Sequence, residues 1–262
     1  MSRAIRIYEN GGPEVLRLEE LDPGKPAAGE VQIRHTAVGV NYIDVYDRTG
    51  LYPVSLPSGL GREAAGVVTA LGRGDTILVH AAAGGVGLIL CQWAKALGAT
   101  VIGVVGSEAK AELAKKHGCK HVLISGRDEL VPGVKRVTKG SGVAVVYDAV
   151  GKDTFVESLD CLRRLGMMVT FGNASGPPPA ISPLELTKRG SLFLTRPTLF
   201  NYIASRAELE AAARELFAAV RARKVRIVIG QKYPLSRAAD AHRDLEGRRT
   251  TGSTVLVPEG AT

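Results

Sequence analysis

The sequence holds little that would cross-link it, anchor it or tie it to a metal. Its 262 residues include three cysteines, Cys91, Cys119 and Cys161. An odd, scattered set gives no disulfide framework, and the spacing is not that of a zinc site, so reduced, buried thiols are expected. No apolar run reaches the eighteen or so residues that a spanning helix needs, and the first residues lack the basic-then-apolar layout of a secretory signal. The expected location is therefore cytoplasmic, with no membrane partner. Aromatic residues make up only 5% of the chain, and the lysines and arginines behind a net charge of +8 are spread through expected helices rather than clustered with aromatics. Nucleic acid is thus not the expected partner. No internal repeat or low-complexity segment stands out, and 45% hydrophobic residues are enough for one large or two modest cores.

What is present changes character near residue 74. Before it, residues 4–8, 30–40 and 64–70 read as strands, with breaks at Asn10-Gly11-Gly12-Pro13, Pro23-Gly24 and Pro26. Residues 39–50 read as a strand end running into a short helix capped by Asn41, followed by a Pro- and Gly-rich loop over 51–63. After it, β-branched apolar runs at 76–80, 100–105, 121–124, 143–147, 167–171 and 191–195 alternate with helical stretches. That alternation predicts an α/β doubly wound parallel sheet. An amphipathic helix over 205–221, a strand over 225–229, a short helix over 237–245 and a strand over 252–257 complete the chain. The expected organisation is a dinucleotide-binding domain over 74–200 and a catalytic, substrate-binding domain made of 1–73 and 201–262.

The chemistry begins at Ala82-Ala83-Gly84-Gly85-Val86-Gly87, between the strand at 76–80 and a helix. Against the dinucleotide fingerprint G-x-G-x-x-G, Ala82 replaces the first glycine. Gly84 and Gly87 fall where a pyrophosphate must approach the backbone and where the helix must pack. A Cβ there would hold a phosphate away from the N–H groups of the helix start. The next strand ends in Val104-Val105-Gly106-Ser107-Glu108-Ala109-Lys110. NAD sites usually end this strand in an acid that bonds the ribose hydroxyls. The neutral Gly106-Ser107 turn, with Lys110 one helical turn on, instead offers a hydroxyl and an ammonium to a 2′-phosphate, so NADPH is the expected cofactor. Glu108 also serves the helix dipole.

These motifs, together with Gly39 to Tyr46, Gly50-Leu51-Tyr52-Pro53, Leu60 to Gly66, Tyr147 to Gly151, Phe171 to Gly176 and Gly190 to Pro197, resemble the zinc-free medium-chain dehydrogenases/reductases. Within them the sequence is similar to the NADPH:quinone oxidoreductases related to zeta-crystallin. The resemblance implies a Rossmann sheet beside a β-rich GroES-like catalytic domain. Where zinc-dependent relatives carry a cysteine and a Gly-His-Glu, this chain has Asn41 and Gly61-Arg62-Glu63, which implies no metal. It further implies hydride transfer from NADPH to a small-molecule quinone, with Asn41, Asp44, Tyr46 and Tyr52 on the acceptor side. Ala83 to Gly87 would hold the cofactor, Asp148, Val150 and Gly151 would pass under it, and Phe171, Gly172 and Asn173 would flank the nicotinamide ribose. Arg248 resembles a basic residue close to the adenosine phosphate, whereas Ser125-Gly126 stand where close relatives have an adenine-stacking tyrosine. Relatives pair the edge strand matching 191–195, which implies a homodimer.

One departure is large. Val67 to Gly72 runs through Arg73-Gly74 straight into Asp75-Thr76-Ile77, where relatives insert further strands, a cofactor-facing helix and a linker. Roughly sixty residues of the family pattern are missing after Gly72, judged against a full two-domain length, so the catalytic domain is expected to be shortened. Alternatives to quinone reduction are therefore NADPH binding with little or no turnover, enoyl or alkenal reduction, and an RNA-binding, crystallin-like role.

Overall fold

The structure is a computed structural model that describes residues 2–22, 24, 37–61 and 74–258. The chain splits into two compact units, one of Met1–Glu63 with Ile229–Thr262 and the other of Ala64–Val228.

In the first unit, β1 (Ser2–Ile7) pairs antiparallel with β2 (Arg17–Leu21), placing Ile5 opposite Leu18. β3 (Val38–Val40) leads into α1 (Tyr42–Thr49), and β4 (Ser58–Gly59) adds to the free edge of β1. Asn41 precedes the helix in extended conformation, and its N–H donates to Asp44 Oδ2 at 2.8 Å, one half of a capping box. Gly50 ends the helix in the left-handed region at φ 80°. Of the strands expected early in the chain, 30–40 is described only from residue 37, and 64–70 lies outside the described residues.

The second unit carries the alternation read from the sequence: β5 (Thr76–Val79), α2 (Gly85–Ala96), β6 (Thr100–Val105), α3 (Glu108–Lys116), β7 (His121–Ile124), α4 (Leu130–Val137), β8 (Val143–Asp148), α5 (Phe155–Asp160) and β9 (Leu162–Thr170). It continues with α6 (Leu184–Lys188), β10 (Phe193–Thr195), α7 (Leu199–Tyr202) and α8 (Arg206–Arg221). The six strands form one sheet in the order β10-β9-β8-β5-β6-β7, every pairing parallel. The central strands β5, β6 and β8 are almost wholly apolar and buried because helices cover both faces. Ile77, Val79, Val101 and Val145 meet Cys91, Ala94, Ala111 and Ala114 of α2 and α3 on one face. Leu78, Ile102, Val104 and Val146 meet Val134, Phe155 and Leu159 on the other. Ile77, Leu78 and Ile102 are fully buried, each stabilising by roughly 1.5–3 kcal/mol relative to exposure.

The compact units divide between Val228 and Ile229, while the sequence reading divides its domains at residue 200. α8 starts in a Ser205–Glu208 capping box, and past its end Val225 is buried. Gln92 on α2 then ties Arg226 down with two bonds of 3.0 Å, its amide N–H donating to Arg226 O and its carbonyl accepting from Arg226 N. A side-chain amide thus satisfies the backbone where a strand over 225–229 was expected. The strand begins only at Ile229.

The chain returns to the first unit through β11 (Ile229–Pro234), α9 (Ala238–Glu246) and β12 (Ser253–Val257). β12 lies between β11, parallel, and β3, antiparallel. Val40, Leu256, Ala238 and Ala241 form the apolar centre. Beside it Arg48 is fully buried, donating to Gly11 O and to Glu246 Oε1, each at 2.5 Å. Burial and the nearby Arg48 charge push His242 down to about 4. Since the unfolded imidazole takes its proton near 6.5, the unfolded state binds more protons between these values. Stability present above pH 6.5 should fall by roughly 3 kcal/mol as pH drops toward 4, given the pKa of about 4. Urea unfolding at pH 7.5 and 4.5 measures the loss, and His242→Gln should flatten it; an unchanged slope would reject His242 as the source.

Candidate functional site

The strand order reverses between β5 and β8, and in open α/β sheets ligands bind beyond the carboxyl ends of the strands at that point. The turn Ala81 to Gly84 sits there. Ala81 has φ 51°, in the left-handed region, and its carbonyl accepts from Gly84 N at 2.9 Å. Ala82, which stands where the fingerprint has its first glycine, is fully buried with Ala83 beside it. Its methyl is accommodated by Gly103 across the sheet, where an added Cβ would stand only 2.9 Å from it. Gly84 is the extended N-cap of α2, and Gly85 opens the helix. The first N–H groups of any α-helix lack intrahelical partners and attract anions. An added Cβ on Gly87 would meet Ala81 O at 2.3 Å and Ala82 at 2.9 Å; one on Gly84 would meet Ala81 O at 3.3 Å. Gly87 therefore serves helix packing. Gly84 keeps the half-buried face of the turn open, and Val86 in the first helical turn is 57% exposed. A pyrophosphate fits this cradle.

Beyond β6, Ser107 is the N-cap of α3 and its hydroxyl accepts from Lys110 N at 3.4 Å. Ser107 is exposed and Lys110 half-buried. Glu108 forms an ion pair with Arg127 from the turn after β7, which the sequence reading missed. The register offered a signal: Val105 pairs with Ile124, and Glu108 and Arg127 each lie three residues further on.

Past β8, Asp148 is fully buried, and its Oδ1 accepts from Val150 N (2.8 Å), Gly151 N (3.3 Å) and Thr154 Oγ1 (2.9 Å). Asp148, expected from the sequence to pass under the cofactor, thus also anchors its own loop through Oδ1. His80, also buried, meets Ser158 Oγ at 2.9 Å and is held toward the neutral form by burial. The loops after β8 and β9 interlock: a Cβ on Gly172 would meet Ala149 O at 2.3 Å, and one on Gly151, at φ 91°, would meet Gly176 O at 2.5 Å. Phe171 is half-buried, with its N–H on Asp148 O at 2.8 Å, while Asn173 is buried.

The first unit gathers the other candidates. Asn41, Asp44 and Tyr46 lie at α1, and Tyr52 N donates to Tyr46 O at 3.2 Å. Tyr46 is buried, its ring 5.7 Å from Tyr42 and 5.2 Å, edge-on, from Tyr52. Asp44 is buried as well, whereas Asn41 and Tyr52 are half-exposed. Tyr42, not anticipated, has its phenol raised by burial and by Glu246, with exposed Arg248 opposing. Among the described residues no group of three or more His, Cys, Asp and Glu could hold a metal ion, so a zinc donor set is not assembled there. Arg62 and Glu63 lie outside the described residues. No helix among the described residues is long and apolar enough to cross a membrane.

Comparison with known proteins places these features. Residues 27–122 match the family described as alcohol dehydrogenase GroES-like domain, and residues 85–218 match the one described as zinc-binding dehydrogenase. Quinone oxidoreductase 1 of Escherichia coli is 40% identical, covering 98% of this chain and 100% of its own. A 2-haloacrylate reductase of a Burkholderia species is 36% identical, covering 99% and 100%. The crystal structure of Escherichia coli quinone oxidoreductase complexed with NADPH matches with a TM-score of 0.92 at 39% identity, over 98% of this chain and 100% of that one. The alignment to the E. coli sequence runs over 327 positions, yet 98% of 262 residues is only about 257, so roughly seventy positions within it have no counterpart here. In size that shortfall agrees with the roughly sixty residues read as missing from the sequence; the junction expected after Gly72 lies outside the described residues.

The two glycines of the turn should separate experimentally. Gly87→Ala forces α2 off the turn and should cost about 1–3 kcal/mol in thermal or urea unfolding. Gly84→Ala, whose 3.3 Å contact asks Ala81 O to give by only a few tenths of an ångström, should lose less stability than Gly87→Ala and at least about tenfold in dinucleotide affinity, since its methyl occupies the phosphate's approach. Equal losses of stability in both variants would reject this assignment of roles.

Proposed function

The chain belongs to the quinone oxidoreductase family of zinc-free medium-chain dehydrogenases/reductases, and from that premise we propose that it is a cytoplasmic, NADPH-dependent reductase of quinones that works without a metal. The observation carrying the reading is the glycine turn at the switch point, followed by a β6 end that presents Ser107 and Lys110. The NADPH complex of a 39% identical relative supports the same cofactor. When bound, NADPH supplies a hydride. The N–H groups of Gly84 to Gly87 hold the pyrophosphate, Ser107 and Lys110 the 2′-phosphate, and Arg248 the adenosine side. Val150, Gly151, Phe171, Gly172 and Asn173 line the nicotinamide ribose, with Asp148 fixing the loop they stand on. Asn41 and Tyr52 orient the quinone, the amide and the phenolic O–H donating to its carbonyl oxygen as negative charge develops there. Tyr46, buried against Tyr52, supports that ring, and Asp44 holds Asn41. A quinone is a strong hydride acceptor, so positioning and hydrogen bonding suffice.

Two other readings have specific support. The gap of roughly seventy aligned positions, out of 327, favours NADPH binding with weak turnover. The 2-haloacrylate reductase relative favours an activated alkene as acceptor. The proposed homodimer would join the six-stranded sheet at β10, an edge strand on which Phe193 is 56% and Leu194 41% exposed.

Titration with NADPH and NADH, then turnover of NADPH with 1,4-benzoquinone, a larger naphthoquinone and an α,β-unsaturated acid, tests the assignment. Saturable, NADPH-preferring binding with quinone turnover is expected. Binding with background oxidation in folded protein would reject quinone reduction, and a preference for NADH would reject the roles of Ser107 and Lys110. Sedimentation velocity at micromolar concentration should give a dimer that Phe193→Asp converts to a monomer; a monomeric wild type would overturn the dimer.

A further inference from the structure

The acid that marks an NAD site is not absent from this chain. Glu108 follows Gly87 by about the twenty residues typical of NAD enzymes and stands directly after Ser107 at the end of β6. Left alone, its carboxylate would invite ribose hydroxyls and repel a 2′-phosphate held by its neighbours. It is not left alone. The parallel register sets Val105 beside Ile124, so the turns leaving β6 and β7 run side by side. Gly126, at φ 80°, turns the chain after β7, and Arg127 N and Asp128 N both return to Ile124 O, at 3.1 and 2.8 Å. Asp128 Oδ2 accepts from Ile124 N at 2.7 Å and so is tied into the turn. Its two oxygens also accept from Arg127 Nε and Nη2, each at 3.1 Å. That fork fixes the guanidinium plane, and Nη1 reaches the Glu108 carboxylate.

We propose that Arg127 is a specificity-determining residue: by holding Glu108 it cancels the one charge that would favour NADH, and so lets Ser107 and Lys110 accept a 2′-phosphate. The inference rests on the NADPH reading above and adds the residue that makes it compatible with an acid at the NAD position. Lys110 and Arg127 balance Glu108 and Asp128; without Arg127 the cluster carries a net charge of −1 beside a phosphate that is itself anionic. Because Arg127 and Glu108 are both more than half exposed, their pairing contributes little to stability, so its consequence lies in recognition. One uncompensated charge about 6 Å from a phosphate dianion in water-like surroundings changes binding by roughly tenfold, and salt screens the effect.

Calorimetric dissociation constants for NADPH and NADH on wild type, Arg127→Ala, Glu108→Gln and the double variant test this. Arg127→Ala should keep the wild-type melting temperature, weaken NADPH by about tenfold at low salt and leave NADH unchanged or tighter. Adding Glu108→Gln should restore NADPH to within about threefold of wild type, and the Arg127→Ala loss should shrink in 0.5 M salt. A wild type without NADPH preference would remove the reading on which the inference rests. A preferring wild type with an unchanged Arg127→Ala ratio would overturn the inference alone, as would a double variant as weak as Arg127→Ala.

Discussion

The close approach of α2 to the turn after β5 is the constraint on which the nucleotide unit depends. At Gly87 the helix backbone lies so near Ala81 and Ala82 that only a hydrogen fits between them. The same economy recurs where Gly118 abuts Cys91 O of α2 and where Gly172 abuts Ala149 O. Backbone against backbone fixes these elements more sharply than interdigitated side chains would, because glycine leaves no rotamer to adjust. The strain of the turn falls on Ala81, whose left-handed conformation costs about 1–2 kcal/mol for a residue with a Cβ. The apolar packing of the sheet on both faces offsets that cost many times over.

The first unit is organised differently. Its apolar cluster is small, and beside the pairing of β3 with β12 a buried arginine ties distant segments together: Arg48 on α1 bonds the Gly11 carbonyl and pairs with Glu246 of α9. A buried ion pair contributes little net stability because desolvation cancels much of the attraction, yet removing one partner strands the other charge. Such a contact selects one arrangement of α1 and α9 over its alternatives more than it strengthens that arrangement. Tyr42, at the start of α1, lies within electrostatic reach of Glu246 and Arg248, so the contact that positions α1 also shapes the surroundings of the candidate acceptor residues.

Strands buried on both faces were legible in the sequence, since continuous β-branched runs have no competing explanation: β6 lies at the bounds read for it, and β5 and β8 each within one residue of theirs. β2 and β11 were not, because both are largely exposed and carry charge or Gly and Pro. The glycines of the phosphate turn were legible by spacing. That Asp148 anchors its own loop was not legible, because the three donors on Oδ1 are brought together only by the fold of that loop. Arg127 escaped notice because its role depends on strand register, which a linear reading does not display.

The shortened sequence and the complete sheet constrain function together. All six strands of the doubly wound order are present, so none of the roughly seventy unmatched positions, out of 327, removed a strand of that sheet. The groups proposed to hold the pyrophosphate, 2′-phosphate and nicotinamide ribose stand on turns that leave those strands. Their geometry is fixed by contacts inside the unit: Gly87 on Ala81, Ser107 on Lys110, Gly172 on Ala149. The groups proposed to orient the acceptor, at Asn41 and Tyr52, belong to the other unit, where α1 is oriented chiefly by its cap and by Arg48. The proposed pyrophosphate, 2′-phosphate and ribose groups therefore rest on contacts inside the nucleotide unit and the proposed acceptor groups on contacts inside the other, so a substitution at Gly87 or Gly172 disturbs the first set and one at Arg48 the second.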